Sequence, residues 1–191
     1  MGKIIPPVVA SGSMTGDGPP VIDIDDAVRL RAWRADDAGV VVDAFADPDI
    51  QRWHFRRYDT EREALDWIEA TWRDWRAERA ATWAVVWTDT DEVAGRVTVY
   101  TALEDGHGEV SYWMLPQFRR RGIASRACTA ATRWAHALGL HRIQLEHSVE
   151  NDASEHVALR CRFHEEGVRR GATMHADGWH DMRQYAHLAT D

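Results

Sequence analysis

The chain has 191 residues and a formal net charge of −8. That length suits one domain with a substantial core, and the acidic balance argues against nucleic acid as the main partner, since a phosphate backbone demands a basic face. No apolar run reaches membrane-spanning length and no secretion signal opens the chain, so Cys128 and Cys161 are read as reduced thiols of a cytoplasmic protein.

Residues 1 to 20 carry Pro6-Pro7, Gly12, Gly16, Gly18 and Pro19-Pro20 among small polar residues. Such a composition buries little, and a flexible, dispensable tail is expected. Val21, Ile22 and Ile24 allow an extra edge segment. Val28 to Trp33 alternates as a strand, and Asp36 or Asp37 can cap a helix reaching Phe45. Asp47-Pro48-Asp49 reads as a turn. Thr60 and Glu63 stand in capping-box register at the head of a helix running to about Arg79, with Leu65, Ile68, Trp72 and Trp75 as its apolar stripe. Two strands follow, around Trp83–Trp87 and Val93–Thr101.

Glu109 to Leu115 alternates again, Val110, Tyr112 and Met114 facing one way and Glu109, Ser111 and Trp113 the other. Pro116 closes this strand. Arg119-Arg120-Arg121-Gly122-Ile123-Ala124 then leads into apolar positions Ile123, Ala127, Ala130, Trp134 and Leu138 at helical spacing, with Gly139 as the stop. A turn that opens a helix leaves backbone N–H groups unpaired at the positive end of the helix dipole. Gly122 and Ala124 leave that backbone accessible, so the turn reads either as a phosphate site or as a solvated basic turn.

Ile143 to Val149 is a further strand. Asp152 and Glu155 in capping-box register open a helix to about Glu165, and Asp177-Gly178 marks a closing hairpin. The order predicts a mixed, mostly antiparallel α/β sheet flanked by helices on both faces. Ten histidines are present, yet no His-Glu-x-x-His or paired-cysteine spacing supports a metal, and none is expected. Trp53 and Trp67 lie off the apolar stripes, and both an acceptor pocket and a contact between two copies of the chain stay open for them.

Four stretches in the same order resemble the GNAT superfamily of N-acetyltransferases, RimJ/RimL-type in particular: Val28–Trp33 with Asp36-Asp37, the Arg-x-x-Gly-x-Ala turn, Asn151-x-x-Ser154-x-x-Val157, and Asp177–Ala189. The resemblance implies one N-acetyltransferase domain over residues 21–191, moving an acetyl group from acetyl-CoA to a primary amine such as a protein N-terminus. Its alternatives are a small amine acceptor, a polyamine or an antibiotic, and a non-catalytic acyl-CoA-binding module. It further implies that Met114, Leu115, Arg119, Arg120, Arg121, Gly122, Ile123, Ala124, Ser125, Asn151 and Ser154 hold the CoA, Asn151 on the pantetheine arm and Ser154 on the thiolate.

Asn151 and Ser154 also suit simple helix caps. The tyrosine that many members carry seven residues after that asparagine is Ala158 here, which leaves the general acid unassigned. Glu109, at the head of the central strand, is the candidate base, with His107, His175 and His180 behind it. The family's alanine-glycine-phenylalanine helix end is Cys161-Arg162-Phe163 here, so the helix is expected to run on toward Gly167.

Overall fold

The computed structural model describes residues 5–54 and 56–191. Eight strands form one sheet in the order β1-β2-β3-β4-β5-β6-β8-β7. They are β1 (Ile22–Asp23), β2 (Val28–Ala32), β3 (Ala80–Trp87), β4 (Val93–Ala102), β5 (His107–Met114), β6 (Arg142–Ser148), β7 (His164–His175) and β8 (Gly178–Leu188). Every pairing is antiparallel except β5 with β6. The helices are α1 (Ala38–Ala46), α2 (Pro48–Trp53), α3 (Glu61–Arg76), α4 (Ile123–Leu138) and α5 (Asp152–Arg160). None is long and apolar enough to cross a membrane among the described residues.

Neighbouring residues of a strand face opposite ways, so Tyr112 and Trp113 assign the layers. The Trp113 ring meets Phe45 of α1 and Trp33, and α3 joins that side through Trp67, edge-on to Trp33 at 5.1 Å. Tyr112 meets Ser154 of α5 on the other side, where α4 also packs against β4 and β5. Valines and alanines of β3 and β4, buried on both faces, fill the centre.

Local chemistry explains most element ends. Thr60 and Glu63 form the expected capping box of α3, and Gly139 ends α4 at φ 109°. The Asp47-Pro48-Asp49 turn is instead the start of α2: Asp47 caps it by accepting from the Ile50 N–H, and Pro48 takes the first position, where no N–H is needed. The buried stripe of α4 is Ile123, Ala127, Cys128, Ala131 and Ala135, rotated from the expected one, leaving Ala130, Trp134 and Leu138 half-buried.

The expected extension of α5 toward Gly167 does not occur. The helix stops at Arg160, and Arg162 takes the left-handed conformation at φ 61° that the family's glycine would adopt. The Phe163 N–H donates to the Ala158 carbonyl and the Arg162 N–H to that of Leu159, a complete Schellman closure, with Phe163 buried as its apolar anchor. A left-handed non-glycine residue costs about 1–2 kcal/mol. Arg162→Gly is therefore expected to raise stability by about 1 kcal/mol, read as a higher urea midpoint at unchanged slope.

The N-terminal segment also departs from expectation. Residues 1–4 of the expected flexible tail lie outside the described residues, but residues 5–20 are strapped to the domain. Val8 and Val9 donate backbone hydrogen bonds to the Glu104 and Leu103 carbonyls. The Glu78 carboxylate accepts from Ser11 Oγ and from the N–H groups of Gly12 and Met14. Val9 and Met14 are buried, and the Trp75 and Trp83 indoles donate to the Gly16 and Pro20 carbonyls. Composition undervalued this segment because three of its partners are tryptophans, Trp72 closing over Gly18. A chain beginning at Val21 is expected to melt at a lower temperature with red-shifted tryptophan emission. An unchanged melt and spectrum would return the segment to the status of a loose tail.

Candidate active site

The β5–β6 pairing is brief. It joins His107, Gly108 and Glu109 to Arg142, Ile143 and Gln144 and then stops. Beyond it β5 stays paired to β4 and β6 to β8, so Val110–Met114 and Leu145–Ser148 diverge and open a V-shaped gap through the sheet. Glu109 stands at its apex. Backbone groups along the β5 side of this gap have no ladder partner, a costly arrangement unless a ligand or water meets them.

Side chains reach the gap from both faces. Tyr112 and Ser154 approach from the α4/α5 side, their hydroxyls 2.8 Å apart. Burial pushes the Tyr112 phenol well above its usual range, Cys128 and Cys161 add to this, and the Ser154 bond opposes it. Tyr112 thus keeps its proton. Asn151 accepts from the Ser154 N–H at 3.1 Å and is the true N-cap of α5, one residue before the expected Asp152–Glu155 box. Ala158 is fully buried behind them. Tyr112, from a strand rather than a helix, brings the second hydroxyl that reasoning along the α5 sequence missed. Its parity with Val110 and Met114, facing the helix side, is the signal that could have revealed it.

Glu109 lies on the opposite face, directly across from Tyr100. Although it presents exposed surface, protein crowds it along the cleft wall beside Gln144, Glu146 and Gln184. Its pKa is raised, first by loss of solvent and then by the Glu146 charge, with Arg169 opposing. Of the rival histidines, His107 is exposed at the outer end of β5. His175 and His180 are buried against Trp53 beyond the open end of the gap, and His180 is held between Ser148 Oγ at 2.7 Å and Asp177 at 2.8 Å.

The Arg119–Ser125 turn leads straight into α4. Gly122 is its N-cap at φ 70°, and no side chain caps the helix, so the first N–H groups of α4 stay available. A Cβ at Gly122 would meet no protein atom within 4 Å. Both features fit a phosphate-bearing ligand. Arg120 and Arg121 are exposed, Arg121 lying over the Phe118 ring, whereas Met114, Leu115, Ile123 and Ser125 are buried supports.

Arg119 is already engaged. Its Nε donates to the Met114 carbonyl, and its terminal nitrogens donate to Asp47 at 2.5 Å and Asp49 at 2.8 Å. Those aspartates open α2. At the far end of α2, Arg52 pairs with Glu150 at 2.6 Å and with Asp177 at 3.2 Å.

The family profile described as Acetyltransferase (GNAT) domain matches residues 27–164. The chain belongs to the GNAT acetyltransferase family. This GNAT protein is 26% identical over 155 residues to the uncharacterized N-acetyltransferase YoaA of Bacillus subtilis (strain 168), covering 79% of this chain and 86% of that protein. Its fold is similar to an acetyltransferase of Salmonella typhimurium described as modifying the N-terminal serine of ribosomal protein L7/L12, at TM-score 0.79 and 21% identity over 88% of this chain and 99% of the other. It is also similar to the microcin C7 self-immunity acetyltransferase MccE, solved with acetyl-CoA and AMP, at TM-score 0.80 and 20% identity over 92% and 98%. The protein is accordingly an acetyl-CoA-dependent acetyltransferase of the mixed α/β GNAT fold. The uncapped start of α4 and the open space at Gly122 fit the CoA phosphates.

Proposed function

We propose that this GNAT protein acetylates a primary amine, the α-amine of a peptide or protein N-terminus being the acceptor class best supported. The observation that carries this reading is the gap between β5 and β6, open through the sheet, with a carboxylate on one face and a hydroxyl pair on the other. The similar Salmonella protein described as acting on an N-terminal serine supports the acceptor class. Acetyl-CoA supplies the acetyl group as a thioester.

In this reading the turn at Arg119–Ser125, with Met114 and Leu115 beside it, holds the CoA phosphates through backbone N–H groups, and Asn151 the pantetheine arm. Glu109, with its pKa raised by burial and by Glu146, accepts the proton that an attacking ammonium must lose. In the arrangement where Tyr112 donates to Ser154 Oγ, the Ser154 proton is free to point into the gap and hydrogen-bond the departing sulfur. Because that phenol is held protonated, the pair stabilises charge rather than surrendering a proton. Proton removal and CoA binding thus come from opposite faces and meet only where β5 and β6 part.

The experiment offers acetyl-CoA with a peptide bearing a free N-terminus, the same peptide blocked, a polyamine and an aminoglycoside, followed by mass spectrometry. Acetylation of the free peptide alone is the expected result. Acetylation confined to the small amines, or of none of the four probes, would replace the acceptor class.

A further inference from the structure

Two arginines lie in one row across the Trp113 face of the sheet: Arg31 on β2 and Arg96 on β4, with Ala84 between them. Both are buried, and the protein treats them differently. Arg31 is paired to Asp37 at 2.7 Å and to Asp91 at 2.9 Å. Arg96, 7% exposed, has no carboxylate partner among the described residues. One terminal nitrogen donates to Ser111 Oγ at 2.8 Å, and the neighbouring phenols of Tyr100 and Tyr58 add partial compensation. Its Nε is buried without an acceptor. A buried cation without its counter-charge is unfavourable and is normally paired, neutralised or matched by a ligand.

The surroundings give the direction. Arg96, Tyr100, Ser111 and Glu109 share one face of β4 and β5, Tyr100 standing directly opposite Glu109. Arg96 and Glu109 are four pleats apart in register, about 13 Å between backbones, a span that two long side chains shorten. One end of this strip carries Glu109 beside Glu146, which Arg169 already pairs at 2.6 Å, and the other carries the Arg96 guanidinium. Burial first, and then the Arg96 charge, push the nearby His54 down to about 3, so His54 is neutral there, while Arg56 reaches the same cluster through Tyr58.

We propose that Arg96 is a specificity-determining residue that receives a carboxylate of the acceptor, making the preferred substrate an amine that carries an anionic carboxyl group. The ammonium end is drawn to Glu109, and the carboxylate to Arg96. The inference rests on the acetyl-transfer reading above. Two sources present this chemistry: the α-carboxylate of a free amino acid, and an acidic side chain next to the N-terminal residue of a peptide.

The test compares matched acceptors on wild type, Arg96→Gln and Arg96→Lys. Alanine against alaninamide probes the first source, and Ala-Asp-amide against Ala-Asn-amide the second. Wild type is expected to favour the carboxylate member of at least one pair by about tenfold or more in kcat/KM, mainly through KM. Arg96→Gln should erase that preference while leaving the neutral member unchanged, and Arg96→Lys should restore part of it. Equal rates within both pairs, or an equal loss for both members in Arg96→Gln, would overturn the proposal.

Removing an unpaired buried charge should leave folding intact. If Arg96→Gln nevertheless fails to fold, Arg96→Lys decides by its reduced preference. Melting temperature with and without Ala-Asp-amide and alanine reads binding apart from turnover. A rise in wild type that Arg96→Gln lacks supports the carboxylate site even if no acceptor is acetylated, in which case only the transfer reading falls. No rise with either probe, together with no preference, ends the proposal.

Discussion

Glu109→Gln is expected to lower kcat by about 10²–10⁴-fold, the usual worth of a positioned general base, with CoA affinity unchanged. The residue lies on the face opposite the CoA loop, and the amide keeps the shape of the cleft. Wild-type rate should climb with pH through the raised Glu109 pKa, whereas the variant's deficit should narrow at high pH as free amine forms unaided. Stability moves the other way. A carboxyl whose pKa is raised by burial and by Glu146 binds its proton more tightly in the folded than in the unfolded chain. It therefore favours folding below the ordinary carboxylate range, and this contribution is lost as pH rises through the raised value. Glu109→Gln should be no less stable than wild type at neutral pH. A variant with the full wild-type pH–rate profile would make Glu109 structural and turn attention to His107, His175 and His180.

Gly122→Val should weaken CoA binding by tenfold or more in isothermal titration while the protein still folds. Two effects separate cleanly. The φ of 70° strains any β-branched residue, costing about 1–2 kcal/mol of stability. The new methyl groups point where the protein itself offers no obstacle, so the rest of the loss falls on the ligand. Gly122→Ala carries similar backbone strain with less bulk and should keep more affinity. Unchanged affinity in folded Gly122→Val would remove this turn from the CoA site.

Much of this architecture was legible along the chain. The Thr60 box, the Gly139 stop, the alternation of β5 and the Asp177-Gly178 hairpin are local signals, each contained in a few residues, and the fold keeps them. What escaped depends on distant partners. The strap at residues 5–20 gains its order from Glu78 and three tryptophans far along the sequence. The end of α5 is set by Phe163 finding a buried seat, which outweighs the strain at Arg162. Candidate-site residues divided in the same way. The Gly122 turn shows itself through spacing, but Tyr112 joins Ser154 only once β5 lies beside α5. Arg96 is one more charged residue until the sheet surrounds it with hydroxyls and leaves out a carboxylate. Arg119, read in sequence as a phosphate ligand, spends three of its five N–H donors on Met114, Asp47 and Asp49.

That last engagement ties the two ends of the reaction together. The six-residue α2 is held at its start by Arg119 and at its finish by Arg52, which pairs with Glu150 before α5 and with Asp177 in the β7–β8 turn. A donor that competed for Arg119 would loosen the first clamp, and an acceptor that displaced Arg52 would loosen the second. Any effect of one on the affinity of the other would have an equal counterpart in reverse. The ion pairs that would carry such an influence, those of Arg119 and Arg52, need touch neither reacting atom.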